Sequence, residues 1–165
     1  MTEDVLVKLF EHNNWANIQM IQACSALRAE QLDTEPHSAT KGTIRQTLLH
    51  LVASQRGYLA LLTLPVEERQ KVPLAFADLK EVAQSSGEAL LALLKGEKGE
   101  LTRNRLQTTD GYSVEPWVIL LQIINHATEH REQINSMLSA LGLTPLDQDG
   151  WSYGEFTNSL TPISK

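Results

Sequence analysis

The chain has a single cysteine, Cys24, so it cannot close an internal disulfide, and a reducing cytoplasm is its expected home. No apolar run approaches the roughly 18 residues of a membrane span, and no basic stretch followed by an apolar one opens the sequence. Basic residues are outnumbered: 14 Lys and Arg against 20 Asp and Glu leave a net charge of −6, with a pI near 5.3. That balance excludes sequence-blind nucleic-acid binding, which needs clustered cations. No phosphate-cradling glycine loop appears, so a nucleotide substrate has no support. Strand signals are nearly absent, and no internal repeat is visible. What remains is one domain over residues 1–165, long enough to bury a full core, with a charged fraction of 21% that suits an ordered globule.

Four helical segments account for most of it. The first is expected from Glu3 to Ala26, with Leu6, Leu9, Ala16, Met20 and Leu27 on one face and Asn13 in mid-stripe, turned inward. Cys24 shares that face, which makes it core filler rather than a nucleophile. Val7, Trp15 and Ile18 form a weaker opposite stripe, a pattern suited to a helix shared with a partner subunit. The second helix starts at Thr43, where Thr43-Ile44-Arg45-Gln46 fits a capping box, and runs to Pro65. Its apolar and small residues predict a largely buried helix. The third runs from Phe76 to Lys95. Leu101 to Tyr112, with its Asp110-Gly111 turn, is an extended segment or a small hairpin. The fourth opens near Ser113, with Pro116 in its first turn, and ends at Gly142. Together these predict an all-α four-helix bundle. The tail from Leu143 is too aromatic to be disordered and is expected to pack on the bundle.

The chemistry concentrates in Asn125-His126-Ala127-Thr128-Glu129-His130-Arg131. Histidines four apart leave one face of a helix, here the arc of Ile119, Ile123, Ile134 and Met137. A buried neutral imidazole needs partners for both ring nitrogens, and a metal satisfies one on each ring. His50 is the third candidate. It lies on the arc of Thr47, Ser54 and Gly57, off the main Leu48/Val52 stripe, so periodicity fits a ligand and a satisfied core histidine equally. Imidazoles suit Zn, Ni, Cu or Fe, and three of them would leave coordination positions open. Asn13 and Asn17 could hydrogen-bond a substrate or a ligand imidazole. His12 and His37 read as surface residues, and Glu129 as a solvated helix residue. The same five residues also spell H-x-x-E-H, the inverted zinc-protease motif, but no strand platform for a peptide accompanies it.

Thr47-Leu48-Leu49-His50-Leu51, the His126/His130 segment, Leu141-Gly142 with Pro145 and Asp149, and His12-Asn13-Asn14-Trp15-Ala16-Asn17 resemble the DinB family across essentially the whole chain. The resemblance implies an up-down-down-up bundle, usually a homodimer, holding one divalent metal ion, Zn or Ni, through His50, His126 and His130. It also implies metal-dependent transfer or hydrolysis using a bound water or a low-molecular-weight thiol; the alternative is a non-catalytic dimer in which the ion has a structural role. Gln55 stands where an acidic residue is expected in many members.

Overall fold

The computed structural model describes residues 4–37, 41–99, 101–102 and 104–163. Four long helices form the body: α1 (Val5–Ser25), α3 (Ile44–Thr63), α4 (Leu79–Leu94) and α5 (Pro116–Ala140). Two short ones, α2 (Ala29–Leu32) and α6 (Gly150–Phe156), complete it. Local chemistry sets the ends. The Thr43 hydroxyl accepts from the Gln46 amide while Gln46 Oε1 accepts from the Thr43 amide, so the expected capping box starts α3. Gly142, at φ +71°, lets the Leu143 amide fold back onto the Leu138 carbonyl and stops α5. The segment before α5 is the hairpin alternative: Leu106–Gln107 pairs antiparallel with Ser113–Val114 around Gly111. Helix α5 therefore opens at Pro116 rather than Ser113, because the backbone of Ser113 and Val114 is spent on that pairing.

Helix α1 packs against α4 and α5, and so does α3, which puts α1 diagonally across from α3 and α4 diagonally across from α5. Apolar residues fall into two clusters. One holds Met20, Ile21, Cys24, Leu48, Val52, Leu79, Ala83, Ile134 and Leu138; the other holds Phe10, Leu62, Leu90, Leu93, Ile119, Leu120 and Ile123. Helices α1 and α5 run from the second cluster to the first, α3 and α4 from the first to the second. That is the up-down-down-up order.

The inward face of α1 is the expected one at Asn13, Ala16, Met20 and Cys24 but differs at its N-terminal end. Leu6 and Leu9 are exposed, and the buried line is Phe10, Asn13, Ala16, Asn17, Met20, Ile21 and Cys24. The cause lies between the two apolar clusters, where every long helix contributes polar groups to one buried layer. Arg131, only 3% exposed, donates through Nη1 to Asn13 Oδ1 (2.9 Å) and Asn17 Oδ1 (2.7 Å), and through Nη2 to Thr128 Oγ1 (3.1 Å). Asn17 Nδ2 donates to Gln55 Oε1 (2.9 Å), and Gln55 Nε2 donates to the Ala83 carbonyl (3.0 Å) and Ser86 Oγ (2.8 Å). Two inward amides rotate α1 so that Phe10 and Ile21, rather than Leu6 and Leu9, meet the core. Burial lowers the Arg131 pKa to about 10, with the Glu132 charge opposing the shift, so the guanidinium stays charged at neutral pH.

The tail packs as expected. The Asn135 amide brackets Leu146, Gln148 Nε2 donates to the Ala16 carbonyl, and His12 Nε2 lies 2.7 Å from the Gln148 carbonyl. His12 is thus half-buried and stacks near Trp15 and Tyr153, a correction to the surface reading: the tail covers it. Trp117 and Trp151 are exposed. Burial raises the Cys24 thiol to about 12, in keeping with core filler, and no described helix is long and apolar enough to cross a membrane.

Arg131→Met should leave two buried amide oxygens without a donor and cost about 3 kcal/mol, read as a lower urea midpoint at unchanged m-value. Unchanged stability would mean the layer is not held by the guanidinium.

Candidate metal centre

Between α3 and α5 three imidazoles meet. His50 Nε2 lies 3.0 Å from His126 Nε2, which lies 3.1 Å from His130 Nε2; the three candidate ligand nitrogens all fall within 4.8 Å of one another. Helical spacing turns His126 and His130 to one side of α5, and the antiparallel run of α3 brings His50 opposite. His130 is buried; His50 and His126 are half-buried, so the cluster is closed toward the core and open outward.

Hydrogen bonding alone does not satisfy this arrangement. His130 Nδ1 lies 2.8 Å from Gln133 Oε1, an acceptor, which puts the ring proton on Nδ1 and a lone pair on Nε2. His126 Nε2 carries either one proton or one lone pair, so it serves only one of its two imidazole neighbours well. Three lone pairs aimed at a common point suit a cation instead. Two nitrogens bonded at right angles to one ion, about 2.1 Å from each, stand about 3.0 Å apart, which is the spacing of the two close pairs. The third pair, His50 and His130, is wider than the roughly 4.2 Å that two such bonds can span, so the residues fit a divalent metal ion once these two rings draw slightly together.

Electrostatics favour the ligating form. Burial pushes His126 down to about 4, with His130, His50 and Lys41 adding to the shift; burial likewise lowers His50, helped by His130 and Lys41. Both rings titrate below the ordinary 6.5, so at neutral pH they are uncharged and their lone pairs are available.

The DinB family model matches residues 1–162. This chain belongs to the DinB family. A crystal structure of a protein assigned to the DinB family, from Exiguobacterium sibiricum, superposes with a TM-score of 0.67 at 18% identity, covering 90% of this chain and 99% of that one. A DinB-like protein from Bacillus cereus gives 0.60 at 17% identity, covering 86% of this chain and 94% of that one. At these identities the likeness is one of fold. No curated protein matches the chain significantly.

Of the remaining sequence candidates in this DinB chain, Asn13, Asn17 and Gln55 come together, but with Arg131 and Ser86 rather than with the histidines. The glutamine in place of an acid has a physical reason. Gln55 must donate to the Ala83 carbonyl, and a carboxylate would set an acceptor against it. Glu129 is exposed and Glu132 pairs with nothing at the cluster, so the inverted zinc-protease reading finds no base. Sequence reasoning missed Gln133 and the role of Arg131. Their signal was position: Gln133 is one turn beyond His130, and Arg131 is followed at the next turn by the inward Ile134 and Asn135.

Gln133→Leu should lower metal affinity about tenfold or more by freeing the His130 ring, measured by competition with a chelator. Because His50 and His126 resist protonation, bound metal should persist below pH 6 and leave as the pH falls toward about 4. In the metal-free protein the same shifts have a cost. The unfolded chain takes up protons at about 6.5 while the folded rings stay neutral, so stability should fall as the pH drops from there toward 4, followed by urea unfolding.

Proposed function

We propose that His50, His126 and His130 hold one divalent ion, Zn or Ni, through their Nε2 atoms, and that this protein is a metal-dependent transferase or hydrolase. The observation that carries the reading is the three-imidazole cluster with one side open to solvent. When bound, such an ion lowers the pKa of a coordinated water or low-molecular-weight thiol, so a nucleophile exists at neutral pH without a side-chain base. The chain's own residues do the rest. Gln133 fixes the His130 tautomer, and the Arg131 layer beneath holds α5 against α1 so that the two α5 histidines keep their spacing. The Tyr58 ring stands edge-on to His126 at 5.8 Å between centroids and forms one wall of the site.

A structural role for the ion is the second reading, favoured by one observation: the cluster ties α3 to α5 across 76 residues of sequence. Two measurements separate them. Elemental analysis of untagged protein purified without chelator should return about one Zn or Ni per chain, lost in His50→Ala and His126→Ala. Absence of metal in the wild type, with refusal of added Zn and Ni, overturns both readings. If metal removal lowers the unfolding temperature sharply and no small thiol binds the loaded protein, the structural reading stands.

The proposal includes a homodimer in a reducing cytoplasm. Exposed Tyr112, Trp117 and Leu121 supply apolar surface for a second copy, and the free Cys24 suits that compartment. Sedimentation showing a monomer at micromolar concentration would remove the dimer from it.

A further inference from the structure

Beside the histidine cluster runs a cleft of about 740 Å³. Its floor is the outer side of α3, from His50 at the N-terminal end past Ser54 and Gly57 to Ala60. The sequence reads α3 as largely buried; on this side it is the segment after Pro65 that arches over it. A Cβ built on Gly57 would meet nothing within 4 Å, so the floor is open there. Arg56 Nη2 donates to the Val72 carbonyl, which fastens the arch and brings Lys71 to the same wall. Among the described residues neither Arg56 nor Lys71 is paired with a carboxylate, and Glu68 is the sole acid lining the cleft. In a protein of net charge −6, a cleft with two unpaired cations and one acid is a local reversal of sign.

Arg56 follows His50 by six residues, a rise of about 9 Å along the helix. A ligand lying in the cleft can therefore reach the imidazole cluster with one end and the two cations with the other. We propose that the substrate is an elongated small molecule whose reactive end meets the metal at His50, His126 and His130 and whose other end carries a carboxylate or similar anion held by Arg56 and Lys71. This rests on the metal reading above and adds the chemical class of the substrate. Arg56 offers a planar fork of donors to a carboxylate, Lys71 a mobile point charge, and the small side chains of the floor leave room for the connecting chain.

The test uses full-length protein loaded with Co²⁺, whose uptake is measured first, and two thiol probes, mercaptohexanoate and mercaptohexanol. The extended chain of the acid matches the span from His50 to Arg56. Thiol binding is read from the cobalt–thiolate absorption band. The acid should bind about tenfold tighter than the alcohol at low salt. In the Arg56→Met/Lys71→Met double variant the two should agree within about twofold while the alcohol keeps its wild-type affinity. Mercaptoacetate, too short to reach the cations, should show no such advantage over mercaptoethanol. Equal binding of acid and alcohol to fully loaded wild type overturns the anion site and leaves the metal centre standing, as does a preference that survives in the double variant. A protein that takes up no cobalt overturns the metal centre and the substrate class with it.

Discussion

A guanidinium buried among neutral groups governs this bundle. Arg131 keeps its charge inside the protein with three side-chain oxygens and no carboxylate as partners, and removing an ion from water costs several kcal/mol unless its hydrogen bonds are made. Each partner must therefore be present and correctly aimed. Asn13 and Asn17 must face inward, which sets the rotation of α1; Asn17 must receive Gln55, which sets α3; and Gln55 must meet Ser86 and the Ala83 carbonyl, which sets α4. Apolar clusters above and below supply the driving force for collapse but are tolerant of rotation and sliding. The polar layer is not, because a shift of one residue on any helix would orphan a buried donor or acceptor.

The histidine cluster inherits that precision. His130 precedes Arg131, so the residue that locks α5 into the layer is covalently next to the most buried of the three imidazoles. His50 sits little more than one turn before Gln55 on α3. Both helices that carry the histidines are thus fixed in rotation immediately beside them, which is what a site needs when its nitrogens must converge to within a few tenths of an ångström. The same arrangement puts the rings of His50 and His126 at the boundary of the core, dry enough to stay neutral and open enough to be reached.

Much of this was legible in the sequence, and the failures share one physical cause. The four long helices, the Thr43 cap, the Gly142 stop and the packed tail follow from periodicity and local chemistry. The His126/His130 pair follows from helical spacing alone. Periodicity left His50 open, since residues off the main stripe of a helix carry no signal about which neighbour they meet; the resemblance to a family carried it further. On α1 the expected Asn13, Ala16, Met20 and Cys24 do face inward, but Leu6 and Leu9 were misread because a stripe rule ranks them above Phe10 and Asn17. When a helix is oriented by hydrogen bonds as well as by apolar area, hydrophobic pattern can miss where the inward face shifts. Arg131 went unread for the same reason, and the outer side of α3 because small residues fit a helix contact and a ligand cleft alike.

The connectivity has a consequence for how the protein comes to be made. His50 is on the second long helix and its two partners are on the last, with α4 and the hairpin between them. While residues 51–125 are made, a chain emerging from the ribosome carries only one of the three cluster imidazoles, and the layer that orients the others cannot close until Arg131 has appeared. The cluster is therefore assembled only by the finished fold. Whatever the cell supplies to occupy it meets molecules that have already passed their own structural inspection, and half-made chains offer it no comparable place to bind.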